Sequence, residues 1–439
     1  MADHERDDLR PSAPIHRLVD PLARFLHVEA ASGVLLLVCT ALALVLANSG
    51  ASEWYLALWK TKVGFTVGDF TMSHSVQHWI NDGLMAIFFF VVGLEVKREM
   101  VLGELRDVKR ATLPVAAALG GMIVPAGLYL ALQGSGEAAR GWGIPMATDI
   151  AFVVGCMAVL GPRVPHILRV MLLSLAIVDD IGAILVIAIG YTESLNLTAL
   201  GLAFVGLGAV WSLGRLGVRS FGVYAVLGVA VWFGFHESGV HATIAGVLLG
   251  LLTPATTYLP TNVISGMLRR ADETLHGGAW VNMNHRSDAV REFTGRMREV
   301  ISPLEYLEGT LHPWTSFIIM PIFALANAGV PFTMGDFGEP VAVAIMAALV
   351  VGKPVGILLL SFLAVKLVTK TLPEGLTWGG LVGGGFLAGI GFTMALFIAG
   401  LALQGEMLVI AKVGVLGASG IAAVIGMTIL MVVLPKPTE

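Results

Sequence analysis

The chain has 439 residues, 56% of them hydrophobic and only 13% charged. Soluble domains carry about 25% charged residues, and the mean hydropathy here is +0.82. Those values exclude an ordinary soluble fold; the net charge of −4 says nothing about partners, and no nucleic-acid partner is expected.

Apolar runs of roughly 18 residues or more recur from one end to the other, each long enough to cross a bilayer core of ~30 Å. In lipid the backbone must satisfy its own hydrogen bonds, so these runs are helices. Twelve spans are expected, near 31–49, 80–100, 112–132, 142–160, 168–190, 196–213, 221–235, 238–252, 314–330, 340–365, 378–402 and 408–434. They make one integral membrane domain over 1–439, with membrane helices across about 31–252 and 314–434. A tail at 1–30 precedes them and one long loop, 253–311, interrupts them.

Lys and Arg set the orientation. With the N-terminus placed in the cytoplasm, 22 of the 27 basic residues fall in cytoplasmic segments. Only Lys60, Lys62 and Arg140 lie outside, and Lys353 and Lys412 lie within spans. Both termini are therefore expected inside, with the first span as an uncleaved anchor. Cys39 and Cys156 sit in apolar helices and read as small buried hydrophobes rather than a disulfide.

Between the first two spans, residues 62–72 read KVGFTVGDFTM. Alternating Val63, Phe65 and Val67 followed by Gly68–Asp69 predict a short hairpin on the outer side. A lone hairpin is marginal in water, so it either pairs with a second subunit or lies as a ribbon on its own chain. In the 253–311 loop, Val290, Phe293 and Met297 predict a short amphipathic helix.

The chemistry lies with ionisable groups at membrane depth. Residues 170–189 read VMLLSLAIVDDIGAILVIAI, with Asp179–Asp180 the only charges. Carboxylates there cost several kcal/mol by most scales and face a protein interior or a wet cavity. Asp149 lies in GIPMATDIAFVVG, where Pro145 interrupts the span and Thr148 precedes the acid. It marks either a broken helix or a kinked one whose acid meets a partner.

Residues 379–400 carry eight glycines in 22 positions, and 389–393, Gly-Ile-Gly-Phe-Thr, is the expected point of unwinding. Lys353, in ALVVGKPVGILLL, needs a carboxylate or a cavity unless it snorkels to the surface. Asp82 opens the second span and Glu95, Lys97, Arg98 and Glu99 close it, while His241 and His312 lie near interfaces.

Hard cations prefer oxygen ligands, and a buried carboxylate holds a proton or a cation but not both well. Carrying its bare charge through a closed state is costly, so one site alternates between the two loads. Successive helical side chains project about 100° apart. One of the paired aspartates can thus meet the ion while the other meets a second group, such as Lys353. Two other classes remain open on these residues: an intramembrane aspartyl protease using Asp149 and Asp179 as a dyad, and a sodium-coupled solute symporter.

The motifs ATDIAF around Asp149, LAIVDDIGAI around Asp179–Asp180, GLEVKREM at 93–100 and SGVHATIAG at 238–246 resemble those of the NhaA Na⁺/H⁺ antiporters. So do LHPW at 311–314, FALANAGV at 323–330, GKPVGI at 352–357 and GIGFTMALFIA at 389–399. The resemblance implies an all-α polytopic fold of about 12 transmembrane helices, built from inverted repeats, with two crossing discontinuous helices, the fourth and the eleventh.

It implies electrogenic, pH-regulated exchange of Na⁺ or Li⁺ for protons across a bacterial inner membrane, with no cofactor and no enzymatic activity. By the same resemblance Asp180 is the central cation and proton site, and Asp179 its partner, paired with Lys353 when the cation is absent. Asp149 and Thr148 balance the crossing helices, and Glu95, Arg98, Glu99, His241 and Glu308 serve the pH response. The hairpin at 62–72 is a homodimer contact. The loop at 253–311, the tail and Gly309 after Glu308 depart from the best-known member, which bears on the pH profile.

Overall fold

In a computed structural model, the structure describes residues 29–68, 70–192, 195–218, 221–256 and 301–435. Most of the tail at 1–30 and the segment holding Val290, Phe293 and Met297 lie outside the described residues. Apart from one hairpin, the described elements are helical.

They run α1 (Glu29–Ala47), α2 (Ser52–Lys60), β1 (Lys62–Val67), β2 (Phe70–Ser75), α3 (Val76–Val101) and α4 (Val108–Gln133). A 3-10 segment (Glu137–Met146), α5 (Ile150–Leu160), α6 (His166–Gly190), α7 (Leu197–Arg215), α8 (Phe221–Ser238) and α9 (Thr243–Leu252) follow. Then come α10 (Pro303–Asn327), α11 (Pro340–Thr369), α12 (Trp378–Ala388), α13 (Phe392–Ala402) and α14 (Gly405–Val433).

Among the described residues, eight helices are long and apolar enough to cross a membrane, and up to eleven spans result if each of three bent pairs counts once. The eighth expected stretch, 238–252, corresponds to α9, whose 10 residues reach only about 15 Å.

Several boundaries differ from the sequence expectation. The loop at 253–311 ends early, because α10 begins at Pro303. Ser302 and Glu305 form a reciprocal capping box there, satisfying two otherwise orphaned backbone donors. The hairpin extends past residue 72 to Ser75, with Lys62 opposite Ser75 and Val67 opposite Phe70. Gly68, at the first turn position, has φ of +60°, a conformation a two-residue hairpin turn requires and glycine adopts freely. The short helix α2 was not anticipated. It bends 112° away from α1 and so does not extend that span.

The core is centred on α6. Burial reaches 56% of its apolar window, against 17% for α7 and α8, so α6 is wrapped by protein while α7 and α8 form the rim. The rim turns apolar side chains such as Val205 and Val226 outward, as a lipid-facing surface does. Beside α6, α4 crosses α11 with backbones in contact. A Cβ on Gly120 or Gly356 would come within 2.0 or 2.1 Å of the opposite carbonyl oxygen, so the crossing needs glycine at both places.

That crossing holds Lys353 against α4. A widened π turn, Ala348–Gly352, precedes Lys353. Pro354 has no N–H and its ring clashes with the carbonyl four residues back, and the wider turn accommodates it.

Candidate functional site

Two helices break where they cross. The 3-10 segment and α5 meet at 40°, and α12 and α13 at 44°. The first break is Ala147–Asp149, which is extended rather than helical. Pro145 therefore sits inside the preceding 3-10 turn, and the interruption falls two residues later than the proline suggests. The second break is Gly389–Gly391, inside the expected 389–393. A Cβ on Gly389 would lie 2.6 Å from the Leu349 carbonyl oxygen, so α11 approaches this break too closely for any side chain.

The breaks satisfy one another. The Asp149 N–H donates to the Ile390 carbonyl at 2.7 Å. Asp149 caps α5 by accepting from the Phe152 N–H at 3.0 Å. Its other oxygen accepts from the Thr393 N–H at 3.1 Å and from the Thr393 hydroxyl. Across the crossing, the Phe392 N–H donates to the Ser419 hydroxyl of α14 at 3.1 Å. Broken helices leave orphaned backbone groups, and at this depth each must find protein.

Beside the crossing lies the acidic pair of α6. Lys353 Nζ stands 2.6 Å from Asp179 Oδ2, with both side chains fully buried, so Lys353 does not snorkel. Lys353 also donates to the Met146 carbonyl at the end of the 3-10 segment. The Thr148 hydroxyl lies 2.6 Å from the same Asp179 oxygen and 3.0 Å from the Ala388 carbonyl.

Asp180 is equally buried, but the Lys353 ammonium bonds Asp179. Asp180 Oδ1, like Asp179 Oδ1, is buried with no hydrogen-bond partner among the described residues. The arrangement offers carboxylate oxygens inside the membrane, one acid tied to a cation and the other untied.

A family model described as "Na+/H+ antiporter 1" matches residues 23–430. The Na(+)/H(+) antiporter NhaA of Rhodopirellula baltica is 58% identical over 98% of this chain and 98% of its own length. That of Rhizobium meliloti is 52% identical over 95% of each. The chain belongs to the NhaA Na⁺/H⁺ antiporter family. A solved sodium proton antiporter from Methanocaldococcus jannaschii, MjNhaP1, resembles it at a TM-score of 0.46 and 10% identity, covering 96% of this chain and 99% of that one.

Of the residues which the NhaA resemblance links to pH response, four gather at one end of α3. Arg98 Nη1 lies 2.5 Å from Glu308 Oε1. Glu99 Oε1 accepts from the Glu104 N–H at 3.0 Å and the Ser174 hydroxyl at 3.2 Å. Glu95 Oε1 lies 4.0 Å from His312 Nε2. His241 is not among them. It precedes α9, which runs alongside α3 with Gly246 at Ala86 and Gly250 at Gly93. His241 therefore lies toward the opposite end, its ring edge-on to Phe397 at 5.8 Å.

Sequence reasoning missed several polar partners. Ser419 and Thr393 serve the crossing, and a hydroxyl within an otherwise apolar helix was the available signal. At the hairpin end, Asn327 donates to Asn81 at 2.8 Å and accepts from Gln77 at 3.1 Å, joining α3 to α10. Beside the hairpin, burial followed by the neighbouring His78 and His236 holds the His74 imidazole below the usual histidine range.

Proposed function

We propose that the protein exports cytoplasmic Na⁺ or Li⁺ in exchange for external protons, with Asp180 as the site where proton and cation compete. The observation that carries this reading is the division of the α6 pair: Lys353 lies 2.6 Å from Asp179, and Asp180 has no such partner. An unpaired buried carboxylate is too costly to carry across the membrane bare. It therefore travels protonated or cation-loaded, and alternation between the two is antiport.

Asp179 joins the cation when it turns away from Lys353. Its two partners are not stranded by that turn, because Lys353 keeps the Met146 carbonyl and the Thr148 hydroxyl keeps the Ala388 carbonyl. With Asp180 giving up its proton, and Lys353 one of its own once Asp179 has turned to the cation, more protons than cations are exchanged, which makes the exchange electrogenic. The cation is cargo, held by carboxylate oxygens of the kind hard ions prefer.

Asp149 and Thr148 hold the crossing, while Glu95, Arg98, Glu99 and Glu308 at one end and His241 toward the other tune the pH response. The remaining elements of the reading are inverted repeats, a bacterial inner membrane with both termini cytoplasmic, and a homodimer formed through the hairpin. The protease alternative is disfavoured because Asp149's oxygens are already engaged by Phe152 and Thr393.

Inverted membrane vesicles carrying a preformed pH gradient test the proposal. Added Na⁺ or Li⁺ should collapse the gradient in vesicles with the protein and not in those with Asp180→Asn. A gradient untouched by either ion, or a variant that responds like the parent, would sink it.

A further inference from the structure

Away from the transport site, three histidines and an acid converge beside the hairpin. His74 comes from β2, His78 and Asp82 from the first two turns of α3, and His236 from the last turn of α8. One ligand nitrogen from each histidine lies within 4.8 Å of the others. Asp82 Oδ2 closes the group, standing 3.6 Å from His78 Nε2 and 3.6 Å from His236 Nδ1.

A tetrahedral Zn²⁺ bound at 2.0–2.1 Å sets its ligand atoms about 3.4 Å apart. The two measured Asp82 edges are close to that spacing. His78 Nε2 is buried and lacks a hydrogen-bond partner among the described residues, so a polar atom is aimed at the centre without ordinary satisfaction.

The surroundings fix the rings. Trp232 stacks on His236 at 5.5 Å between centroids and 15° between planes. The same indole donates its N–H to the Asp82 carbonyl at 3.2 Å. Trp79 meets His74 edge-on at 6.0 Å and donates to the Val63 carbonyl of β1 at 2.9 Å. Partners that orient a ligating ring are what raise metal affinity beyond the bare donor set. A local widening helps as well: the π turn Trp79–Leu84 contains Asp82, and such turns cluster at functional sites.

We propose that His74, His78, His236 and Asp82 form a Zn²⁺ site that staples the hairpin to α3 and α8. The chemistry separates it from the transport site. Imidazole suits Zn²⁺, whereas a Na⁺-type ion takes oxygen donors. Imidazole nitrogen and carboxylate oxygen are both donors that Zn²⁺ takes, and four of them complete a tetrahedral shell. Bound there, the metal joins segments far apart in sequence and restrains the hairpin that the proposed dimer would use.

The test is calorimetric titration of ZnCl₂ into the purified full chain in detergent, with Co²⁺ absorption as a second readout. One equivalent should bind saturably, and Co²⁺ should give the intense visible bands of a four-coordinate site. His236→Ala and His74→Ala should each weaken binding by about 100-fold or more, beyond the loss seen for outer partners. Asp180→Asn should leave the isotherm unchanged. Failure to bind saturably, a weak octahedral Co²⁺ spectrum, unaltered binding in both histidine variants, or loss of binding in Asp180→Asn would each overturn the assignment.

Discussion

Two ion pairs of nearly equal length stand in different surroundings. Lys353–Asp179 at the crossing measures 2.6 Å with both side chains fully buried. Arg98–Glu308 at the end of α3 measures 2.5 Å, yet the arginine side chain is 45% exposed. Contact distance alone would rank them together, and solvent separates them. An exposed pair gains about 0–1 kcal/mol. A buried pair has lost the hydration of both ions and persists only where geometry and further hydrogen bonds compensate. The crossing supplies those bonds through Met146 and Thr148. The central pair is held away from water on both sides, while in the outer pair water reaches the arginine but hardly the Glu308 carboxylate, whose side chain is 10% exposed.

The sharpest way to break that comparison is to remove the buried cation. Lys353→Ala leaves Asp179 with the Thr148 hydroxyl as its remaining partner. Breaking a buried pair typically costs 3–5 kcal/mol. A proton on Asp179 can offset part of this, so a loss of about 3 kcal/mol is expected, read as a clear fall in melting temperature in detergent. The pH profile of Na⁺-driven gradient collapse should move as well. An unchanged melting temperature together with an unchanged profile would mean that the pair contributes nothing beyond proximity.

A smaller effect should follow from loosening the crossing itself. Thr393→Val removes the hydroxyl that donates to Asp149 and leaves that oxygen with the Thr393 N–H alone. Losing one bond to a buried polar group costs about 1–3 kcal/mol. Thr393→Ser should recover most of it, since it restores the donor. If valine is as stable as the parent, the hydroxyl does not hold the two broken helices together.

The sequence made the acids legible because charge in an apolar run has few explanations. Charge balance offered Lys353 as a partner for the acid pair, the NhaA resemblance named Asp179 as the acid, and Lys353 Nζ lies 2.6 Å from Asp179 Oδ2. The crossing was legible only in outline. Glycine at 389 and 391 marked one break, but Pro145 pointed two residues short of the other. The groups that satisfy the breaks are mostly backbone carbonyls, at Met146, Ala388 and Ile390. A carbonyl has no sequence signature, and its availability appears only when a helix opens beside a donor.

The start of α10 was readable and was missed. Ser302 followed three residues later by Glu305 is a capping signal, but the apolar run alone put the start of the span near 314. The histidine cluster was half legible. His74, His78 and Asp82 follow one another at intervals of four, whereas His236 joins them only because α8 ends beside the hairpin.

The outer pair sharpens the comparison from the other side. Arg98→Gln removes the charge from a guanidinium that water already reaches and keeps a hydrogen-bond donor near Glu308. The stability change should be at most about 1 kcal/mol. It should shrink further at high ionic strength, where exposed charges are screened within a Debye length of several ångströms. Melting temperatures of parent and variant, measured at low and high salt, should therefore converge. The antiport pH profile of the variant should nonetheless shift, because Glu308 then loses its charged neighbour while Glu95 and Glu305 remain close by. A fall in stability as large as that of Lys353→Ala, indifferent to salt, would place Arg98 in the same buried class as the central lysine. It would also remove solvent as the property that distinguishes the two pairs.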